Sequence, residues 1–297
     1  MPHCVRPDTI IDAVVPFIPE VYLANMQPVV LSIAGFDPSS GAGVTADVKT
    51  VAAHGCFAIA CITSVTVQTT QGVRRFESIQ GEIVSETLFE LAADLPINAV
   101  RIGMLGSGEV ADAVAAFLET TRPPNVVLDP ILRSSSGADL LDAKGVEILR
   151  DRLLPVATLV TPNLAEAAVL TGLPVSRIEE MRAGGRELLR LGARNAVVTG
   201  GHLEGDATDL LLWRPDGTDE IFEEELRGER IPSSSTHGTG CAYATSVACH
   251  LARGFRVPEA VAGAKEFVRG AIEHATPLGH GKGPMELLWN LKKDAGR

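Results

Sequence analysis

The sequence predicts an α/β domain whose mostly parallel sheet is covered by helices on both faces. Three observations lead there. Short apolar runs recur from residue 29 onward without the in-and-out alternation of a half-exposed sheet, so each reads as a strand buried on both faces. Stretches with helical spacing separate the runs and supply the crossovers that parallel pairing requires. The residues just after the runs are polar and glycine-rich, as expected where an open sheet meets a ligand at the carboxyl ends of its strands.

The apolar runs Val29–Ala34, Ile59–Val67, Ala99–Ile102, Val126–Leu128, Leu159–Thr161 and Ala196–Thr199 read as the strands. Helical patterns lie near 43–54, 83–94, 108–121, 143–153, 164–171 and 178–191. Leu210–Trp213 and Glu220–Leu226 flank the turn Pro215-Asp216-Gly217 and read as a short antiparallel hairpin at the sheet's far edge. Two long helices, about 240–253 and 258–275, follow. No linker or internal repeat divides residues 29–297, which form one domain. Residues 1–28 read as an N-terminal arm or as the product of an over-long gene start, since Pro16 and Pro19 break their apolar stretch and Met26 stands just before the first strand.

Composition narrows the function. With 26 Lys and Arg against 37 Asp and Glu, the net charge of −11 speaks against a nucleic-acid surface or an acidic membrane. An anionic substrate would have to be held by local dipoles. The five cysteines, Cys4, Cys56, Cys61, Cys241 and Cys249, include no C-x-x-C pair and point to reduced thiols in a cytoplasmic protein. No apolar run reaches the ~20 residues of a membrane span.

Ser235-Thr236-His237-Gly238-Thr239-Gly240-Cys241 opens an apolar, small-residue helix. Glycines there let backbone N–H groups of a helix N-terminus approach an anion, although the same residues also make an ordinary loop and cap. Cys241 falls in the first turn, where the positive end of the helix dipole is expected to acidify a thiol. Asn163 and Glu166 make N-x-x-E behind Pro162, which is a capping box and also a carboxylate and amide placed to organise Mg²⁺ beside a triphosphate. Asp129 before Pro130 is either a turn residue or a second carboxylate for the metal. Gln68 offers a donor and an acceptor side by side, suited to an aminopyrimidine edge. Gly41-Ala42-Gly43-Val44-Thr45-Ala46 fits G-x-G-x-x-A, but six residues separate it from the strand and no acidic residue suited to a ribose follows before Glu77, which counts against a dinucleotide site. The P-loop pattern and protein-kinase signatures are absent.

In order, the post-strand segments resemble the hydroxymethylpyrimidine/phosphomethylpyrimidine kinases of thiamine biosynthesis, in the ribokinase-like superfamily. The resemblance covers about residues 29–290 and rests on eight segments in register: Ala34 to Gly43 with Ala46 to Thr50, Val67 to Val73, Ile102 to Leu105, Leu128 to Pro130, Thr161 to Ala167, Gly200 to His202, Thr236 to Cys241, and Gly279 to Pro284. It implies a three-layer α/β/α ribokinase-like fold and, as cofactors, ATP and Mg²⁺. By the resemblance Gly35, Ala42, Asp47, Gln68 and Met104 hold the pyrimidine, and Gly238, Thr239, Gly240 and Cys241 form the anion hole, with Cys241 where the sugar kinases have an Asp base. Asn163, Glu166, Thr199 and His202 lie toward the nucleotide, Asp129 and Glu166 toward the metal, and the protein is expected to be a homodimer.

Two positions depart from the family's pattern. Thr199 stands where a lysine usually precedes Gly-Gly-His, and Ser135 where a second lysine follows Asp-Pro. Arg133 and Lys282 are the candidates to supply the lost charge. The expected activity is ATP-dependent phosphorylation of 4-amino-5-hydroxymethyl-2-methylpyrimidine and then of its monophosphate. The rivals are a vitamin B6 kinase on the same scaffold and an idle pyrimidine-binding protein.

Overall fold

The apolar runs become strands because helices cover both of their faces. A computed structural model describes residues 27–134, 137–201, 203, 205–215 and 217–294. Its strands are β1 (Val29–Phe36), β2 (Phe57–Thr69), β3 (Gly72–Ser78), β4 (Ile97–Ile102), β5 (Val126–Leu128), β6 (Leu159–Val160), β7 (Ala196–Val198), β8 (Asp209–Trp213) and β9 (Phe222–Leu226). They form one sheet in the order β3-β2-β1-β4-β5-β6-β7-β8-β9. Pairing is parallel from β2 across to β7 and antiparallel at both edges, β2 with β3 and β7 with β8 and β9. The far-edge hairpin is as expected. The second antiparallel edge, β3, was not: its exposed, charge-bearing Gly72–Ser78 carries no apolar run to announce a strand.

Helices α1 (Gly43–Ala53), α2 (Gly81–Asp94), α3 (Gly108–Thr121), α4 (Ala143–Ile148), α5 (Leu164–Thr171), α6 (Ile178–Arg190), α7 (Thr239–Ala252), α8 (Val257–Glu273) and α9 (Trp289–Asp294) flank the sheet. After α4 the chain continues through a π-turn, Leu149–Leu153. Alternation along the strands divides the core. Leu31, Ile33, Val100, Ile102, Val126 and Leu128 face α2, α3 and the helices after them, while Val30, Ala99 and Val127 face Val247 and Ala248 of α7 and Ala260 of α8. Each such aliphatic side chain contributes about 1.5–3 kcal/mol on burial, so the period-2 pattern fixes which face every strand residue takes.

The same alternation sets up the site. On the α1 and α7 face β1 carries Ser32 and β4 carries Arg101, and Asp129 follows β5; all three are polar and buried. The chain passes from β1 to β2 on one side and later returns to β4 on the other. The carboxyl ends of β1 and β4 therefore flank the point where strand order reverses, the usual place for a ligand in such sheets.

Candidate active site

Two glycine turns meet above the reversal point. Gly43 opens α1 at φ +59°, where a Cβ would stand 2.2 Å from the Gly35 carbonyl oxygen, and Gly238 caps α7 at φ +80°, where a Cβ would stand 1.9 Å from the Gly41 oxygen. Only glycine allows this positive φ and this approach together. The Gly41-Ala42 backbone is thus laid directly against the Gly238 turn, and the N-terminus of α7 opens beside it. Gly240 is exposed and a Cβ added there would meet nothing within 4 Å, so this turn is open to an anion.

Beneath the turns lies a buried charge network. The Arg101 guanidinium donates from Nη1 to Asp47 Oδ2 at 3.2 Å and from Nη2 to Asp129 Oδ2 at 2.7 Å. Ser32 Oγ donates to Asp47 Oδ2 at 2.6 Å and Thr245 Oγ1 to Asp47 Oδ1 at 2.7 Å. Arg101 and Asp47 are fully buried, and Cys241 neighbours the guanidinium. Burial opposes the guanidinium's charge, but the carboxylates of Asp47 and Asp129 outweigh that and hold it protonated. Gly103 keeps the space: a Cβ there would stand 1.8 Å from Arg101 Nη1. Asp47 is therefore turned away from solvent, with both oxygens taken by protein donors.

Cys241 does not behave as its helix position alone suggests. Burial pushes the thiol up to about 11, helped by the charges of Asp129 and Asp47, and neither the Arg101 guanidinium nor the Gly43 N–H reverses this. The expected acidification is overturned, because desolvation in a closed site exceeds what a helix terminus contributes. At neutral pH the thiol carries its proton.

On the acceptor side Gly35 is buried against Met104, whose Sδ would stand 3.1 Å from a Cβ at that glycine. Thr63 Oγ1 fixes the Met104 carbonyl. A register shift between Val67 and Gln68 bends β2, and Gln68 reaches across to His237. His237 Nε2 lies 2.9 Å from Asp37 Oδ2 and 3.0 Å from the Gln68 amide. One Nε2–H can donate to Asp37, which requires the Gln68 amide oxygen to be the atom facing the ring; its NH₂ then turns to Thr66 Oγ1, which itself donates to the Phe36 carbonyl. Burial works against the Asp37 charge, but hydrogen bonds from His237 and Ser39 hold its carboxyl below the ordinary range. Gln68 and Thr69 thus belong to the end of β2 rather than following it.

On the opposite side Asn163 and Glu166 complete the capping box of α5: Asn163 N–H donates to Glu166 Oε2 at 2.9 Å and Glu166 N–H to Asn163 Oδ1 at 3.0 Å. Asn163 also bridges in parallel to Thr199, so these three expected residues do come together. Burial pushes Glu166 up to about 8, with the Asp129 charge adding to it, and burial likewise pushes Asp129 up to about 6. A buried Glu166 raised further by the charge of a buried Asp129 is a donor set that a divalent cation would relieve. Among the described residues no three His, Cys, Asp or Glu groups could enclose a metal by themselves. Two carboxylates nevertheless fit Mg²⁺, which takes one or two of them and completes its shell with water and phosphate oxygens.

Several expected residues fall elsewhere. His202 and Ser135 lie outside the described residues. Arg133 is turned onto Asp139 at 2.6 Å, with both side chains 71% exposed, and Lys282 is exposed in the loop that closes over Thr70. Sequence reasoning missed Arg101 and the pairing of Asp37 with His237. A charged residue inside the run Ala99–Ile102 was the available signal for the first.

An open α/β sheet with a glycine-opened helix N-terminus and buried carboxylates at its switch point is the architecture of the ribokinase-like small-molecule kinases. The phosphomethylpyrimidine kinase family model matches residues 37–286, and the chain belongs to that family. It is 44% identical over 264 residues to the hydroxymethylpyrimidine/phosphomethylpyrimidine kinase of Streptomyces coelicolor, covering 89% of this chain and 96% of that one. The crystal structure of phosphomethylpyrimidine kinase from Clostridium difficile superposes with a TM-score of 0.71 at 33% identity, over 83% of this chain and all of that one, 100%. The ADP complex of Bacillus subtilis pyridoxal kinase gives 0.78 at 30% identity, over 88% and 97%.

Proposed function

We propose that the protein transfers the γ-phosphoryl group of ATP to the hydroxymethyl oxygen of 4-amino-5-hydroxymethyl-2-methylpyrimidine, and then to the phosphate of the resulting monophosphate. The observation that supports this is the meeting of the Gly238–Cys241 turn with Gly41-Ala42, where an anion site would stand between the acceptor residues and the Asn163–Glu166 carboxylate side. In the reaction the acceptor oxygen bonds to the γ-phosphorus, the bond from that phosphorus to the β,γ-bridging oxygen breaks, and ADP leaves. The N–H groups of residues 239–241 would receive the phosphoryl oxygens, whose charge must be held in a loose transition state.

Cys241 serves in this reading as a neutral donor in the anion hole, because a thiol near 11 has almost no thiolate at pH 7. The acceptor proton leaves late, to the transferred phosphate, as a loose transition state allows. Gly35, Ala42, Gln68 and Met104 line the pyrimidine, with Gln68 oriented by His237, and Asp47 acts from behind by fixing Arg101 against α1 and α7. Mg²⁺ bound through Asp129 and Glu166 would supply positive charge to the phosphates. Thr199 lies toward the nucleotide, and the protein acts as a homodimer. No helix of the described residues is long and apolar enough to cross a membrane, in keeping with a cytoplasmic enzyme.

A pyridoxal kinase activity is the second reading, favoured by the fit to the Bacillus subtilis pyridoxal kinase. Coupled ADP release with the pyrimidine, its monophosphate and pyridoxine tests both. Turnover confined to pyridoxine overturns the first reading, and binding of pyrimidine without ADP release reduces the protein to an idle binder.

A further inference from the structure

The turn after β7 follows Thr199, where the family's usual lysine is missing, yet two separate devices grip it. From inside, Asp209 Oδ1 accepts the Gly200 N–H at 2.8 Å, while Asp209 Oδ2 accepts from Lys265 Nζ at 2.7 Å. Lys265 Nζ also donates to the Ala207 carbonyl at 2.8 Å, so its charge is fully engaged beneath the turn. Burial raises the Asp209 carboxyl and Lys265 opposes it, which is the balance of a buried ion pair rather than of a surface one. From outside, the Arg230 guanidinium donates to three carbonyl oxygens of the turn: Gly201 at 2.6 Å, Leu203 at 2.7 Å and Gly205 at 3.1 Å. A Cβ on Gly200 would stand 1.8 Å from the Thr208 oxygen, so the turn also sits flush on the start of β8.

We infer that Asp209, Lys265 and Arg230 are positioning residues that clamp the backbone of Gly200, Gly201, Leu203 and Gly205 against the nucleotide side of the site. Their charges are directed at the backbone, not at a ligand. An ordinary surface turn needs neither a buried ion pair under it nor a guanidinium shared by three of its carbonyls. The turn adjoins Thr199, which is bridged to Asn163 next to Glu166, so any slack in it would reach the carboxylates that face the phosphates. Rigidity here would partly offset the lost lysine: a fixed backbone can present N–H groups to phosphate without reorganising. The inference rests on the proposed ATP-dependent reaction, because that reading puts the nucleotide on this side.

The test is steady-state kinetics of Arg230→Ala and Lys265→Met, with ADP binding followed by calorimetry. Arg230 lies at the surface, so its variant should fold even if Lys265→Met does not. The expected result is a Michaelis constant for ATP and a dissociation constant for ADP raised about five- to twentyfold, with the pyrimidine Michaelis constant within about twofold of the parent's. ATP and ADP constants within about twofold of the parent's in Arg230→Ala overturn the clamp, and so do equal rises for ATP and pyrimidine, which would mark a general structural role. If the parent itself releases no ADP with any acceptor, the proposed reaction fails first. ADP binding by parent and variant then decides the clamp, and a parent that binds no ADP overturns it.

Discussion

Toward the amino-terminal ends of α1 and α7 lies a buried ion-pair network, and at the carboxyl ends of the same two helices lie two half-buried, neutral histidines. Asp47, Arg101 and Asp129 stay ionisable at the first end because each finds an opposite charge. At the other end His54 and His250 sit edge to face, ring centroids 5.1 Å apart. His54 donates from Nδ1 to the Thr50 carbonyl and accepts from Ser246 Oγ, each at 2.8 Å, an arrangement that suits the neutral ring. Burial lowers His54 to about 4 and lowers His250 as well. The charged end is the drier of the two, with Asp47 and Arg101 fully buried and His54 and His250 only half-buried, so dryness does not explain the difference. Charge is kept only where the sheet delivers a partner, and that is the end where the proposed reaction would handle a phosphoryl group.

The largest expected effect breaks the charged end. Arg101→Met strands Asp47 and Asp129 without a cation, and removing one partner of a buried ion pair costs about 3–5 kcal/mol. Urea unfolding should show this loss, with His54→Gln at the neutral end costing clearly less. A cost for Arg101→Met no greater than that of His54→Gln would mean the network contributes no more than neutral packing.

Next comes Cys241, which joins the two regions because its helix runs from one to the other. Cys241→Ala should lower kcat about 10²-fold, the usual effect of removing one donor from an anion hole, with the pyrimidine Michaelis constant little changed. Cys241→Ser, which keeps a donor, should retain more of the rate. A thiol near 11 that had to act as thiolate would make the rate rise about tenfold per pH unit between roughly pH 7 and 10, whereas a neutral donor gives no such rise. A steep rise that disappears in Cys241→Ser would restore the base role.

The strands and helices were readable because burial on two faces writes itself into local apolar runs, as at Val126–Leu128. The acidity of Cys241 was not, because it depends on burial and on Asp47, Arg101 and Asp129, which are far away in sequence. A helix-terminus rule sees only the neighbours of residue 241. Asn163 and Glu166 were readable in both senses at once, as capping box and as candidate ligands, since the same hydrogen bonds serve either. The Asp37–His237 pair spans 200 positions and leaves no periodic trace.

Acidification should separate the two ends by sign. Glu166, at about 8 when folded against an ordinary 4.5, binds its proton more readily in the folded state, so its contribution to stability grows as pH falls from about 8 toward 4.5. His54, at about 4 against 6.5, binds its proton more readily unfolded, so its contribution is present above 6.5 and is lost as pH falls toward 4, by on the order of 3 kcal/mol. Stability against pH should therefore lose its rising limb below pH 8 in Glu166→Gln and soften its fall below 6.5 in His54→Gln. Added Mg²⁺ should flatten the Glu166 limb alone, because a bound cation favours the ionised carboxylates. Indifference of that limb to Mg²⁺ would remove Glu166 from the metal.

The smallest effect concerns the charge missing near the nucleotide. A lysine at position 199 would offer a charge-assisted hydrogen bond where Thr199 offers a neutral one, a difference of about 1 kcal/mol or a little more, so Thr199→Lys should raise turnover several-fold to about tenfold. Arg133 was the candidate to compensate in the parent, but it is paired with Asp139 on an exposed loop and directs its guanidinium there. An exposed pair of this kind contributes little, and the side chain is not poised toward the phosphates. Arg133→Ala should accordingly change turnover less than about twofold, and by the same factor in the parent and in Thr199→Lys, since sites that share no task add independently. Measured ADP release for the four proteins of this cycle decides it. A loss in the parent that vanishes in the Thr199→Lys background would show that Arg133 leaves Asp139 during turnover and takes the lysine's place, and the turn beside Thr199 would then need rigidity less than it needs charge.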